Sequence, residues 1–176
     1  MKKIDAIKAL QQLDKRGIYV LAQRDLAKLF PDEQEKALEK SLQRLVADGI
    51  LQRVARGIYI NPAALSKKSH AVEQIAAALR PGQFSYVSLE SALSEMGAIS
   101  QIPVSRITIM TTGLKGEYKT PYGTIEFTHT KRRPLELMKR TTPVPGRPLR
   151  MATEDAALQD LRRVGRNVRM ISVEDL

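Results

Sequence analysis

The sequence predicts an α+β fold in two parts. Three observations point to it. The first third sets helical apolar spacings between Gly and Pro stops and closes on a short basic hairpin pattern. The second half changes texture, with alternating strands between turn signals and then a helix signalled at both ends. The chain has 176 residues, 43% of them hydrophobic, which is enough to bury one ordinary core or two small ones. The boundaries read from these signals are 1–65 for the first domain, 66–80 for a linking helix and 81–176 for a small α+β domain.

Taken in order, Ile4, Ile7, Leu10 and Leu13 recur at three-residue steps and predict a helix that Gly17 stops. Ile18-Tyr19-Val20-Leu21 reads as a short strand. A brief helix follows around Gln23 to Phe30, with Leu26, Leu29 and Phe30 inward. Pro31 biases Phe30 away from helical dihedrals, and Asp32 suits the start of the next element. A third helix is predicted from about Glu33 to Asp48, with Leu38, Leu42 and Leu45 on its core face and Gly49 after it. Ile50 to Ile60 reads as two strands joined by a turn at Ala55 to Gly57, where Gly57 takes a positive φ. Ser66 to Leu79 is the linking helix, with Val72, Ile75, Ala76 and Leu79 as its apolar stripe and Pro81-Gly82 as the hinge.

Beyond the hinge, Tyr86 to Met96 reads as a helix and Ile102-Pro103-Val104 as extended. Arg106 to Thr111 and Ile125 to His129 alternate as strands. Gly113 to Gly116 and Thr120 to Thr124 are turns. Thr153 caps a helix opening with Glu154 and Asp155, carrying Leu158 and Leu161 inside and ending near Gly165.

The order helix, short helix, sharp turn, longer helix, basic hairpin is the layout of a winged helix-turn-helix. In that fold the second helix of the pair enters the major groove and the wing reaches phosphates or the minor groove. The reading helix would use Gln34, Lys36, Lys40, Gln43 and Arg44, and the wing Arg53 and Arg56. A three-helix core whose hairpin only packs is the alternative. Glu33, Glu35 and Glu39 share the third helix and repel phosphates wherever they face them. Either they point away, or they exclude wrong registers, or this helix is not the reader.

Charge supports a polyanionic partner. Lys plus Arg number 29 against 19 Asp plus Glu, a formal net charge of +10. Residues 131–169 hold eleven bases and four acids, most of that excess. Within them Arg132, Arg133, Arg162, Arg163 and Arg166 form a candidate second basic surface, since Arg forks onto phosphate. The first 66 residues hold twelve bases and eight acids, a modest net charge for a DNA-binding module. Both domains are therefore expected to touch the duplex.

Other chemistry is thinly signalled. The chain has no Cys, which excludes disulfides, thiolate metal sites and Cys nucleophiles. His70 and His129 lack partners at metal-ligand spacing. Gly113 to Gly116 lacks the strand-to-helix setting of a phosphate loop, and no Ser sits in a nucleophile elbow. Glu90 and Glu95 stand five positions apart and share no face well. The expectation is no catalysis, no metal and no cofactor. Asp5 and Lys8 interrupt what begins like a signal peptide, and no apolar run is long enough to span a bilayer. The expected setting is cytoplasmic, with no membrane partner.

The residues also resemble a known family. The stretch Leu38 to Pro62, with Leu-Val-Ala-Asp-Gly-Ile-Leu-Gln-Arg-Val-Ala-Arg-Gly-Ile-Tyr inside it, looks like the wing region of the AbiEi family. These are antitoxins of type IV toxin–antitoxin systems. Tyr86-Val87-Ser88-Leu89-Glu90-Ser91-Ala92-Leu93 and Thr120-Pro121-Tyr122-Gly123-Thr124-Ile125-Glu126-Phe127 resemble parts of that family's second domain. The resemblance implies a transcriptional autorepressor that binds inverted repeats in its own promoter. It also implies an antitoxin that neutralises an AbiEii-type nucleotidyltransferase-like toxin without a stable complex. Two further readings remain: an RNA-binding factor, and a toxin-contacting interaction module without sequence-specific DNA recognition. With 5% aromatic residues the chain has few platforms for stacking single-stranded bases.

Overall fold

The computed structural model describes residues 1–99 and 105–165. Ile102 to Val104, read above as extended, and Arg166 and Arg169 lie outside the described residues. The described residues form a mixed α+β structure with seven helices and nine strands in two sheets. They divide into two compact units, the first spanning Met1–Leu79 and the second beginning at Arg80.

In the first unit, helices α1 (Lys3–Lys15), α2 (Gln23–Leu29) and α3 (Glu35–Ala47) accompany strands β1 (Val20–Ala22), β2 (Gln52–Ala55) and β3 (Ile58–Ile60). Ala6, Leu10, Leu13, Leu26, Leu38, Leu42, Leu45 and Leu51 share one core. The α1 stripe differs from the expected one, since Ile4 is 53% exposed and Ala6 is buried in its place. The reason is geometric. Three-residue steps fall short of a full turn, so Ile4 and Leu13 end on opposite faces. Leu29 is likewise exposed, and Leu26 alone is fully buried in α2.

The three strands form a sheet in the order β1-β3-β2, all antiparallel. A register shift between Arg53 and Ala55 puts a bulge in β2. Gly57 turns the hairpin at φ 71°, and its carbonyl accepts the Gln23 N–H at 2.8 Å. That bond ties the hairpin turn to the start of α2. The linking helix is shorter than expected: α4 spans Ala71–Leu79. The preceding residues bond elsewhere, with Leu65 and Ser66 N–H both donating to Asp14 at 2.9 Å. α4 packs on β1 and β3, burying Ala71, Glu73, Ile75 and Ala76, and the Glu73 carboxylate faces His70 Nδ1 at 3.1 Å.

The second unit carries β4 (Ser85–Val87), α5 (Leu89–Glu95), β5 (Arg106–Thr111), β6 (Gly116–Thr120), β7 (Gly123–His129), α6 (Pro134–Arg140), β8 (Thr141–Thr142), β9 (Arg150–Ala152) and α7 (Glu154–Val164). Its six-stranded sheet runs β6-β7-β5-β4-β9-β8. β7 inserts parallel to β5 and antiparallel to β6, so sequence order and sheet order part company. The helix expected from Tyr86 is a strand followed by a helix. Tyr86 and Val87 lie in the middle of the sheet, and the chain turns at Leu89, which is buried at φ 57°. A positive φ at a non-Gly residue needs support from its surroundings, and here the side chain's complete burial supplies it. α7 begins and ends where expected: Thr153 Oγ1 accepts the Ala156 N–H at 3.3 Å, and Gly165 takes φ 76°.

Candidate functional site

On α3 the buried residues are Leu38, Ser41, Leu42 and Leu45. The helical period places Lys36, Glu39, Lys40, Gln43 and Arg44 on the opposite arc, and all five are exposed. Lys36 and Gln43 lie near its centre, Lys40 and Arg44 on one flank, and Glu39 and Val46 on the other. Gln34 is exposed just outside the helix and does not cap it through its side chain. In the hairpin, Arg53 and Arg56 are both exposed.

The Glu39 flank of α3 faces the hairpin across an open cleft of about 390 Å³. Gln23, Glu39, Gln43, Val46, Arg53 and Tyr59 line it. The structure thus brings Gln43 and Arg53, assigned above to helix and wing, to one concavity. It also adds Gln23, at the first position of α2, which sequence reasoning missed. The available signal was its place immediately after a strand and at the mouth of the short helix.

The three acids of concern separate clearly. Glu33 turns inward, pairing with the Met1 ammonium and accepting from Ser41 Oγ at 3.5 Å. Glu35 stands in the first turn, where a carboxylate suits the positive helix end. Glu39 is in the cleft. Arg44 donates to Ser41 Oγ at 3.0 Å, which draws its guanidinium back along the helix and away from Gln43.

In the second unit, the basic residues have mixed roles. Arg147 forks onto Glu95 at 2.6 and 3.0 Å, and Arg150 binds Thr141 Oγ1 at 2.8 Å and its carbonyl at 2.9 Å. Of the proposed second basic surface, Arg132, just before α6, pairs with Glu136 in the first turn of that helix at 2.8 Å. Arg133, Arg162 and Arg163 are exposed. Arg133 precedes α6, and the other two sit in the last turn of α7, where cations complement the helix end.

A buried polar network lies in the same unit. Asp160 Oδ2 accepts the Tyr86 hydroxyl at 2.9 Å and the Ser88 hydroxyl at 2.8 Å. Its other oxygen meets Arg140 at 3.4 Å. Burial first, and then the Asp160 carboxylate, push the Tyr86 phenol well above its ordinary range, with Arg140 and Arg132 opposing. Ser91 and Thr108 exchange hydrogen bonds beside it, at 3.0 and 2.9 Å. Tyr86, Ser88 and Asp160 are all at most 2% exposed, so this network holds β4 to α7 and offers no open surface. The sequence signal for it was an acid on the apolar stripe of α7.

A family model described as "Family of unknown function (DUF6088)" matches residues 6–167. The chain belongs to this family. Among curated proteins none matches it. The crystal structure of the RV2827C protein from Mycobacterium tuberculosis resembles it with a TM-score of 0.57 at 15% identity, over 90% of this chain and 60% of that one. At that identity the likeness bears on the fold alone, and this chain spans about 60% of that chain's length. No helix among the described residues is long and apolar enough to cross a membrane.

Proposed function

We propose that the chain is a sequence-specific duplex-DNA-binding protein whose first unit works as a winged helix-turn-helix. The observation that carries this reading is the exposed arc of α3 beside the arginine-bearing hairpin. One cleft there presents Gln43, Arg53, Gln23 and Glu39 together. Gln pairs bidentately with adenine, and Lys and Arg serve guanine or phosphate. The α3 arc sits opposite a well-packed core face, so a rigid element presents the readers.

Its biological role, in this proposal, is that of an autorepressor and antitoxin of a type IV pair. The support is the resemblance of Leu38 to Pro62, Tyr86 to Leu93 and Thr120 to Phe127 to the AbiEi family. The DNA partner is then an inverted repeat in the chain's own promoter, bound by two copies with two-fold symmetry. The functional partner is an AbiEii-type nucleotidyltransferase toxin that forms no stable complex with it. Such a repressor works in the cytoplasm, where its operator is.

A reporter fused to the gene's own upstream DNA tests this. Expression of the chain is expected to silence the reporter, and Arg53→Ala with Arg56→Ala to restore it. Silence in neither case, with the protein present and folded, overturns the repressor reading. Co-expression with the product of the adjacent gene tests the antitoxin reading: rescue of growth without co-purification is expected. Binding confined to RNA moves the RNA-binding alternative ahead.

A further inference from the structure

A carboxylate on a DNA-reading surface needs a physical reason. It is repelled by every phosphate it approaches, so by itself it weakens binding to all sequences alike. Two of the three acids near α3 escape the difficulty, since Glu33 is tied inward to the Met1 ammonium and Glu35 caps the helix end electrostatically. Glu39 does not. It lines the cleft one helical turn before Gln43, across from Arg53. Among the described residues no side chain forms an ion pair or hydrogen bond with the carboxylate of Glu39. The same holds for the side chains of Gln23, Gln43 and Arg53, so the open cleft holds four polar side chains that face solvent without a side-chain partner in the protein.

Solvated acceptors and donors of this kind exchange water for base edges or phosphates when a duplex docks. In the major groove, cytosine presents an amino donor at N4, and a carboxylate accepts from it. We propose that Glu39 is a specificity-determining residue that accepts a hydrogen bond from the N4 amino group of one cytosine in the recognised site. The inference rests on the duplex-reading proposal above. It assigns to the acid a gain at one base pair that offsets repulsion everywhere else. Glu39 thus acts both for the correct site and against sites with guanine or thymine at that position, since a carboxylate facing guanine O6 or N7, or thymine O4, meets only acceptors.

Selection from a random-sequence duplex library, run in parallel with the full chain, Glu39→Ala and Glu39→Gln, tests this. The residue is exposed and its replacements keep good helix propensity, so all three proteins are expected to melt alike. The unsubstituted chain is expected to select a motif containing one fixed C·G pair next to those read by Gln43. Glu39→Ala is expected to lose the preference at that pair alone and to bind random duplex several-fold more tightly. Glu39→Gln is expected to move the preference at that pair toward A·T. Selection of the same motif by all three, with the C·G pair still fixed, overturns the role of Glu39 while leaving the duplex-reading proposal intact. Failure of the unsubstituted chain to select any motif overturns both.

Discussion

Gln43 and Arg53 line one cleft, yet truncating them has different expected consequences. Gln43→Ala should cost about 1–3 kcal/mol at the preferred site and relax sequence preference. Arg53→Ala should weaken operator and random duplex alike and reduce the salt slope by about one. Equal losses on both duplexes for Gln43→Ala would remove it from the readers. The sequence placed Arg44 beside Gln43 as a reader, but its bond to Ser41 gives it the expected behaviour of a phosphate contact, the same loss on every sequence. In the second unit the buried Asp160 carboxylate is the shared acceptor of the polar network. Asp160→Ala leaves the Tyr86 and Ser88 hydroxyls and Arg140 without their acceptor, a cost of about 3–5 kcal/mol in urea unfolding. A loss under about 1 kcal/mol would mean that the network is not structural. Residue pattern alone identified the exposed cations of α3 and the hairpin. It did not identify Gln23 or the Asp160 network, because both depend on which distant segments meet.

The elements whose ends carry their own chemistry were the ones legible in the sequence. Thr153 and Gly165 bound α7 as expected, and each has a measurable share in it. Thr153→Ala should lower stability by about 1 kcal/mol, through the lost cap on the Ala156 N–H. Gly165→Ala should cost about 1–2 kcal/mol, because a side chain resists the left-handed backbone there. No change in the denaturation midpoint of either variant would show that the helix ends contribute nothing. The hairpin around Gly57 was legible for the same reason. By contrast β4 is three residues long and runs straight into α5, so its apolar residues continue the helical pattern and hide it. β6 alternates between exposed and half-buried residues, which leaves no apolar face to read. The linking helix was overextended because nothing in the sequence indicates that Ser66 bonds to Asp14, 52 positions away.

At the scale of the whole molecule, two groups whose pKa values shift on folding add to the pH dependence of stability. The Ser66 hydroxyl first, then the Ser66 and Leu65 N–H groups, hold the Asp14 carboxyl below its ordinary value. Its contribution is therefore present above the unfolded carboxylate pKa, about 4, and is lost as pH falls through the lower folded value. Ser66→Ala should flatten the acid limb of the stability curve. Tyr86 has the opposite sign. Its folded pKa is raised, so its contribution is present below about pH 10 and falls as pH rises beyond that. Tyr86→Phe should flatten the alkaline limb. A limb unchanged by its substitution would exclude that group as the cause.

In the proposed function the α3 and hairpin surface reads duplex DNA. The most direct test is a competition titration by fluorescence anisotropy, with the gene's own upstream duplex against random duplex at two salt concentrations. A preference of about a thousandfold or more for the upstream duplex is the expected result. Phosphate contacts from Lys36, Lys40, Arg44, Arg53 and Arg56 alone would give a salt slope of about −4 to −5. A steeper slope that falls when Arg133, Arg162 and Arg163 are replaced by Ala would add the second basic surface to the interface. Equal, steeply salt-dependent binding to both duplexes would mean that this surface is a general basic patch and not a sequence reader.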